Sequence, residues 1–349
     1  MSHENILSRS NTTSSSSGVL VLILASMLVV CSFVVDYNMA SLTQTSSYHY
    51  ALAPSNELSF CAFNIQILGK SKMEKQQVVS ILLKILSRYD IIFVQEIRDG
   101  SDDSFASLVK ALNQHVSSNG KRYDYKVSER LGRSASKEQY GFIYNPDKVK
   151  CVKTIQFEDT DNWFERAPFT FVFEFITTDA KLKGKQFAII GCHIRPSAVA
   201  KELNYLTQVY DSFKGLPFYQ NTIITGDFNA DCSYLSKTAL KTLTLNDSNR
   251  FKWLLDEDST VADSACSYDR FVVPLAFANS KLSTSGFEIQ NPKVFRYESE
   301  LNVAKDLVKL VSDHYPIELK IQTSGKIGSS TKTLSDLVEE DISHNYRDY

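Results

Sequence analysis

An excess of charge of either sign is missing from this chain: 38 Lys and Arg stand against 40 Asp and Glu in 349 residues, a formal net charge of −2. No overall basic field announces a polyanionic partner, so any nucleic-acid contact has to rest on locally placed Arg and Lys. CxxC spacing is missing among the six cysteines, which removes that signature of a zinc site. There is no internal repeat and no break in composition after residue 54, so one large catalytic domain is the better count. What is present is ordinary globular composition, 43% hydrophobic, enough for a sizeable core.

The first forty residues differ from the rest. Met1–Gly18 is polar and serine-rich, and Val19–Val35 is an unbroken apolar run of 17 residues. Such a run reads as a targeting segment, longer than the usual core of a cleaved signal and slightly short for a spanning helix. Arg9 before it and Asp36 after it favour export of the remainder of the chain, with Ala40 and Ala53 as candidate cleavage positions. Cleaved or kept as a membrane anchor, it places the main domain outside the cytosol. The expected division is 1–53 for the targeting segment and linker, 54–321 for the catalytic domain and 322–349 for a polar, solvated tail. Cys61, Cys151 and Cys192 sit in strand-like runs and read as small buried hydrophobes, whereas Cys232 and Cys266 lie in polar, turn-rich sequence.

Five separated stretches share one grammar, an apolar run ending in a polar group: Phe60–Asn64, Ile91–Glu96, Phe187–His193, Thr222–Asn229 and Val311–Pro316. Such runs read as buried strands. Burying their terminal carboxylates, amides and imidazoles unpaired would cost several kcal/mol, so convergence on one polar site is the economical reading. Lys72–Ser87 and Ala198–Phe213 have helical spacing, and Tyr123–Ser128, Tyr140–Tyr144, Val149–Phe157 and Phe169–Ile176 read as antiparallel strands. Mixed sheets covered by helices give an α+β layered fold.

The chemistry follows from residue type. Glu96, with Asp227, Asn229 and Asp313, offers hard oxygen ligands suited to Mg²⁺, Mn²⁺ or Ca²⁺. Asn64 can donate to a phosphate oxygen or complete the metal shell. His193 and His314, two of only six histidines, stand with two spare acids, Glu138 and Asp269. An imidazole oriented by a carboxylate is a general acid or base, and hydrolysis of a phosphodiester needs one of each. With no obvious nucleophile in the set, metal-assisted hydrolysis of a phosphate ester is the expected reaction.

The chain resembles deoxyribonuclease I and its secreted relatives in the endonuclease/exonuclease/phosphatase superfamily. The resemblance rests on Ala62–Ile65 (AFNI), Tyr89–Arg98 (YDIIFVQEIR), Leu131–Arg133 (LGR), Lys137–Tyr140 (KEQY), Gly226–Tyr234 (GDFNADCSY), Ala265–Arg270 (ACSYDR) and Ser312–Pro316 (SDHYP). It implies a four-layer α/β/β/α sandwich, two mixed and mostly antiparallel sheets between helices. Glu96 and Asp227 would hold the catalytic Mg²⁺ or Mn²⁺, and Asn64, Asn229 and Asp313 would position phosphate and metal. His193 with Glu138 and His314 with Asp269 would be the acid–base pair, cutting double-stranded DNA to leave 5′-phosphates. Arg98, Arg133, Arg166 and Tyr268 match positions that touch phosphates; Cys232–Cys266 matches a structural disulfide. Asp258, Thr260 and Ser264 resemble part of a structural calcium loop.

The departures concern substrate. Ser136 stands where relatives carry a tyrosine that stacks in the minor groove, Gln66 and Arg195 replace other residues, and Ala167 removes a ligand of a second calcium site. Actin binding varies among such relatives and is not assigned. A monomer is expected. The other readings are a phosphodiesterase on a different substrate and an inactive nucleic-acid- or actin-binding relative; the complete set of ionisable residues speaks against inactivity.

Overall fold

The computed structural model describes residues 57–323 apart from 102, 135, 181, 263–264 and 279–285, so the apolar run Val19–Val35, the tail beyond 323 and Ser264 lie outside the described residues. In chain order the first elements are β1 (Glu57–Leu68), α1 (Gln76–Leu86), β2 (Ile91–Ile97), α2 (Asp103–Val116), β3 (Asp124–Val127), β4 (Gln139–Tyr144), β5 (Val149–Gln156) and β6 (Phe169–Phe175). Then come β7 (Gln186–Gly191), α3 (Val199–Asp211), β8 (Thr222–Asp227), β9 (Phe251–Trp253), β10 (Asp269–Pro274), β11 (Phe287–Val294), α4 (Lys305–Val311) and β12 (Ile317–Thr323). Among the described residues, no helix is long and apolar enough to cross a membrane.

Strands β1 and β2 are apolar on both faces, as covered strands must be, and run parallel with Phe60 opposite Ile91. A parallel pair needs a crossover, which α1 supplies by burying Val78, Ile81, Leu82 and Ile85. The helix begins later than the spacing predicts because Lys75 adopts φ −84°, ψ 88° and separates it from the short turn Lys70–Met73. The other parallel pair, β7 and β8, is bridged in the same way by α3.

Two six-stranded sheets result, ordered β11-β12-β1-β2-β4-β3 and β5-β6-β7-β8-β10-β9. Each has one parallel pair at its centre and antiparallel partners outside it. The same order and directions occur twice, a repeat of topology that leaves no repeat in the residues. Alternation along the strands builds the layers. Ile189 and Ile223 face the first sheet in the main core, while Ile190 and Ile224 pack with Leu203, Leu206 and Val209 of α3. Aromatic rings join the sheets, with Phe142 stacked 4.1 Å from Phe171 and Phe60 lying 5.6 Å from Phe271. At Gly191 the approach is so close that a Cβ would sit 2.3 Å from the Phe93 ring.

Four of the five apolar stretches form strands that run out into the site. The fifth, Val311–Pro316, does not: Val311 ends α4, Ser312–Pro316 is a connection, and β12 starts at Ile317. The apolar residue there belongs to a helix end, so His314 enters the site from the start of a strand. Cys232–Cys266 is bonded and ties the loop after β8 to the loop before β10 across 34 residues; closing a loop of that size stabilises a fold by about 4 kcal/mol. Cys61 and Cys192 are buried, while Cys151, on the edge strand β5, is only half-buried.

Candidate active site

The site forms where the two central strand pairs end. Strand β2 delivers Glu96 and β8 delivers Asp227, and the antiparallel neighbours β4 and β10 start alongside, bringing Glu138 just before β4 and Asp269 opposite Asp227. Gly226 permits the turn at Asp227: its φ is +139°, and a Cβ would lie 2.0 Å from the Cys192 carbonyl oxygen. Buried Gln95 joins the sheets, its Oε1 accepting from the Asp227 amide at 2.8 Å.

Asn64 stands between the acids. Its Nδ2 donates to Glu96 Oε1 at 3.1 Å and to Asp227 Oδ2 at 3.2 Å. Its Oδ1 accepts from the Gln66 amide at 3.0 Å, which fixes the orientation of the side-chain amide. Asn229, at φ +51°, donates its backbone amide to Asp227 Oδ1 and its side chain to the Ile194 carbonyl, each at 3.0 Å. Asp313 lies at the rim with its side chain 52% exposed, Oδ1 4.0 Å from His314 Nε2.

Both imidazoles converge on one oxygen. His193 Nε2 and His314 Nε2 each lie 3.4 Å from Asp227 Oδ2. Behind them, His193 Nδ1 is 2.9 Å from Glu138 Oε1 and His314 Nδ1 is 2.7 Å from Asp269 Oδ2. Such pairing fixes tautomer and ring direction. Burial disfavours the charged form of His314, but Asp269 and Asp227 outweigh it and push its pKa up to about 10. Burial alone would raise the Glu138 carboxyl; His193, Arg166 and Arg98 outweigh that and hold it below the usual carboxylate range.

The sequence-derived phosphate contacts divide. Arg98 reaches Ser136 Oγ at 2.8 Å and lines, with Arg133, Ser134, Ser136, Arg166 and Arg195, a cavity of about 440 Å³ beside the site. Arg166 is turned inward, 2.5 Å from Glu138 and only 11% exposed, so much of its charge is committed to that acid. Tyr268 holds its ring 6.3 Å from His314, next to Tyr234.

Several contributors were not singled out from sequence. Ser259 Oγ donates to Asp269 Oδ2 at 2.7 Å, and Ser312 Oγ donates to the Asn64 carbonyl at 2.6 Å. Tyr140 accepts the His193 amide at 2.8 Å. Lys72 is buried, its Nζ donating to the Val311 and Ile65 carbonyls, and burial lowers its pKa to about 8 against the pull of Asp313 and Glu96. Ser312 and Tyr140 stand inside the SDHYP and KEQY stretches, which was the available signal; Ser259 and Lys72 carried none.

Ligand atoms of Glu96, Glu138 and His193 lie within 4.8 Å of one another, as do those of Asp227, Asp269 and His314. The grouping separates Glu96 from Asp227, but the Asn64 amide touching both carboxylates shows that they face one another. Buried Glu138 Oε2 and Asp269 Oδ1 have no hydrogen-bond partner. This concentration of hard oxygen donors fits a divalent cation.

Residues 61–314 match the model of the Endonuclease/Exonuclease/phosphatase family. Over 296 residues the chain is 34% identical to human Deoxyribonuclease gamma, covering 83% of this chain and 92% of that protein. The chain belongs to the deoxyribonuclease I family. It is also 32% identical to bovine Deoxyribonuclease-1, over 76% of this chain and 92% of that one. Among solved structures, a humanized D. rerio TDP2 shares the fold, with a TM-score of 0.52 at 15% identity over 77% of this chain and all of that one. The family assignment accounts for the layered fold and for the order of the site residues along the chain.

Proposed function

We propose that the chain is a divalent-metal-dependent endonuclease that hydrolyses phosphodiester bonds of double-stranded DNA with little sequence preference and leaves 5′-phosphates. The observation that carries this reading is the convergence of His193 and His314 on one Asp227 oxygen, each backed by a buried carboxylate. One imidazole takes a proton from the attacking water while the other protonates the departing 3′-oxygen, which is how two positioned bases divide a hydrolysis. Asn64 and Asn229 fix the ends of Glu96 and Asp227, and Asn229, with one Nδ2 hydrogen on the Ile194 carbonyl, has the other to present to a phosphate oxygen. Glu96 and Asp227 would hold Mg²⁺ or Mn²⁺, which when bound withdraws charge from the phosphoryl oxygens. Arg98 and Arg133 bind flanking phosphates from the adjoining cavity, a contact that positions the strand without reading bases.

Calcium is not part of this reading at the Asp258 loop. Asp258 Oδ1 already accepts from the Thr260 amide and hydroxyl and from the Cys266 amide, and Oδ2 faces Arg296 Nη2 at 3.4 Å. Arg296 also donates to the Asp258 carbonyl at 3.0 Å, so a guanidinium meets two of the Asp258 oxygens that a cation would use. Asp159, which the resemblance would leave as a ligand of the second calcium site that Ala167 weakens, is likewise engaged by the Trp163 and Phe164 amides and by Arg133. We further propose a secreted or externally anchored monomer, a location in which the Cys232–Cys266 bond persists.

Nicking of supercoiled plasmid by the purified protein with Mg²⁺ tests the proposal. Activity abolished by EDTA and by His193→Ala is the expected result; intact plasmid after incubation with folded, metal-supplied protein would overturn it.

A further inference from the structure

Ile67 occupies a conformation that its side chain does not favour. It lies in a bulge of β1, where Asn64 pairs with Gln95 and the next paired residue, Leu68, sits opposite Ile97. Bulges of this kind re-aim side chains beside active sites. Within the bulge Ile67 has φ +53°, a left-handed conformation that β-branched residues rarely adopt and that glycine or asparagine would adopt at less cost. The conformation has a use: it turns the Ile67 amide onto Glu96 Oε2 at 3.0 Å. Glu96 itself sits at φ +60°, so the metal-binding carboxylate and the amide that holds it are both set by strained backbone.

That use explains the backbone and leaves the side chain unexplained. Any residue but proline supplies the amide. Packing does not require isoleucine either, because the residue is 53% exposed, one of five exposed large hydrophobics among the described residues. A strained, branched, solvent-facing apolar group beside a metal ligand is accounted for by something outside the chain. Its surroundings name the partner. Leu68, the next residue, accepts from the Arg98 amide at 2.8 Å, and Arg98 Nη2 reaches Ser136 at 2.8 Å on the rim of the arginine-lined cavity. Ile67 is therefore held to Glu96 by its own amide and to the Arg98 backbone through its neighbour, beside the reacting centre.

We propose that the Ile67 side chain contacts the substrate, packing against a deoxyribose of the strand beside the scissile phosphate. An exposed aliphatic group gains by covering the apolar face of a sugar, and such a contact positions the strand without reading bases. The proposal rests on the DNA reading of the site.

Its test compares full-length wild type with Ile67→Ser, Ile67→Gly and Ile67→Leu in plasmid cleavage, duplex-oligonucleotide binding and thermal unfolding. Serine and glycine should raise KM and weaken duplex binding about three- to tenfold with kcat within about twofold, while leucine restores both. Glycine should melt no lower than wild type, because it relieves the left-handed strain. Unchanged KM and binding in Ile67→Ser and Ile67→Gly would overturn the contact while leaving the nuclease reading intact. A wild type that neither binds nor cuts duplex DNA would overturn both.

Discussion

The two histidine pairs have nearly the same geometry and opposite support. His193 and His314 approach the same Asp227 oxygen at the same 3.4 Å, one from each sheet. Behind His193, Glu138 is shared with two cations, Arg166 at 2.5 Å and Arg98 at 3.7 Å. Behind His314, Asp269 is met by the neutral hydroxyl of Ser259. Glu138 is shared between two guanidiniums and an imidazole, while the close partners of Asp269 are His314 and a neutral hydroxyl. An internal repeat of topology has thus been given two electrostatic settings by the residues that back each carboxylate. A shared hydrogen-bond geometry does not by itself fix the charges around it.

Removing either imidazole should cost the most. His193→Ala and His314→Ala are each expected to lower kcat by roughly a hundred- to ten-thousand-fold, as loss of a general acid or base does, with plasmid-nicking rates as the measure. Equal losses would show that both pairs act in one rate-limiting step. A large loss at only one would assign the other a binding role.

The supports can be separated by stability. Arg166→Met leaves Glu138 buried beside fewer cations and is expected to cost about 3–5 kcal/mol in urea unfolding. Ser259→Ala removes a hydroxyl from Asp269 and should cost about 1–3 kcal/mol. The reverse order would refute the division of labour drawn between the pairs.

Alkaline titration sharpens the difference. His314 is held up to about 10 against an ordinary value of 6.5, so its proton favours the folded state. That stabilisation is complete below about pH 6.5 and is lost as pH rises through about 10. Unfolding midpoints of metal-free protein should fall across this window, and Asp269→Asn should flatten the fall.

The smallest effect belongs to the Asp258 loop. The Arg296 and Asp258 side chains are 42% and 24% exposed, so Arg296→Gln should cost under about 1 kcal/mol. Any rise in melting temperature with millimolar calcium should persist in Asp258→Asn; a rise abolished by that substitution would restore the calcium site implied by the resemblance.

Much of this site was readable in the chain because it depends on local pattern. Glu96 and Asp227 are conspicuous as acids closing runs of buried strand residues, and α1 and α3 follow from apolar spacing. Helix α2 was legible too, with Phe105, Leu108, Val109, Leu112 and Val116 on one face, though it was not singled out. Val311 misled because an apolar residue before a polar one looks alike at the end of a helix and of a strand. The histidine pairings, 55 and 45 residues apart, came from family resemblance, since nothing local links His193 to Glu138 or His314 to Asp269.

Sequence alone therefore determined the strand periods, the helices that cover them and the stock of acids, imidazoles and amides placed at strand ends. These are properties of neighbouring residues, and burial and backbone hydrogen bonding act on neighbours directly. Tertiary structure decided that Arg166 turns inward to Glu138, that Asp269 meets Ser259, that Arg296 pairs with Asp258, and that Ile67 is held left-handed in a bulge. Charge interactions depend on distance through space, and the bulge depends on register between strands, so neither is set until the two sheets have closed on one another.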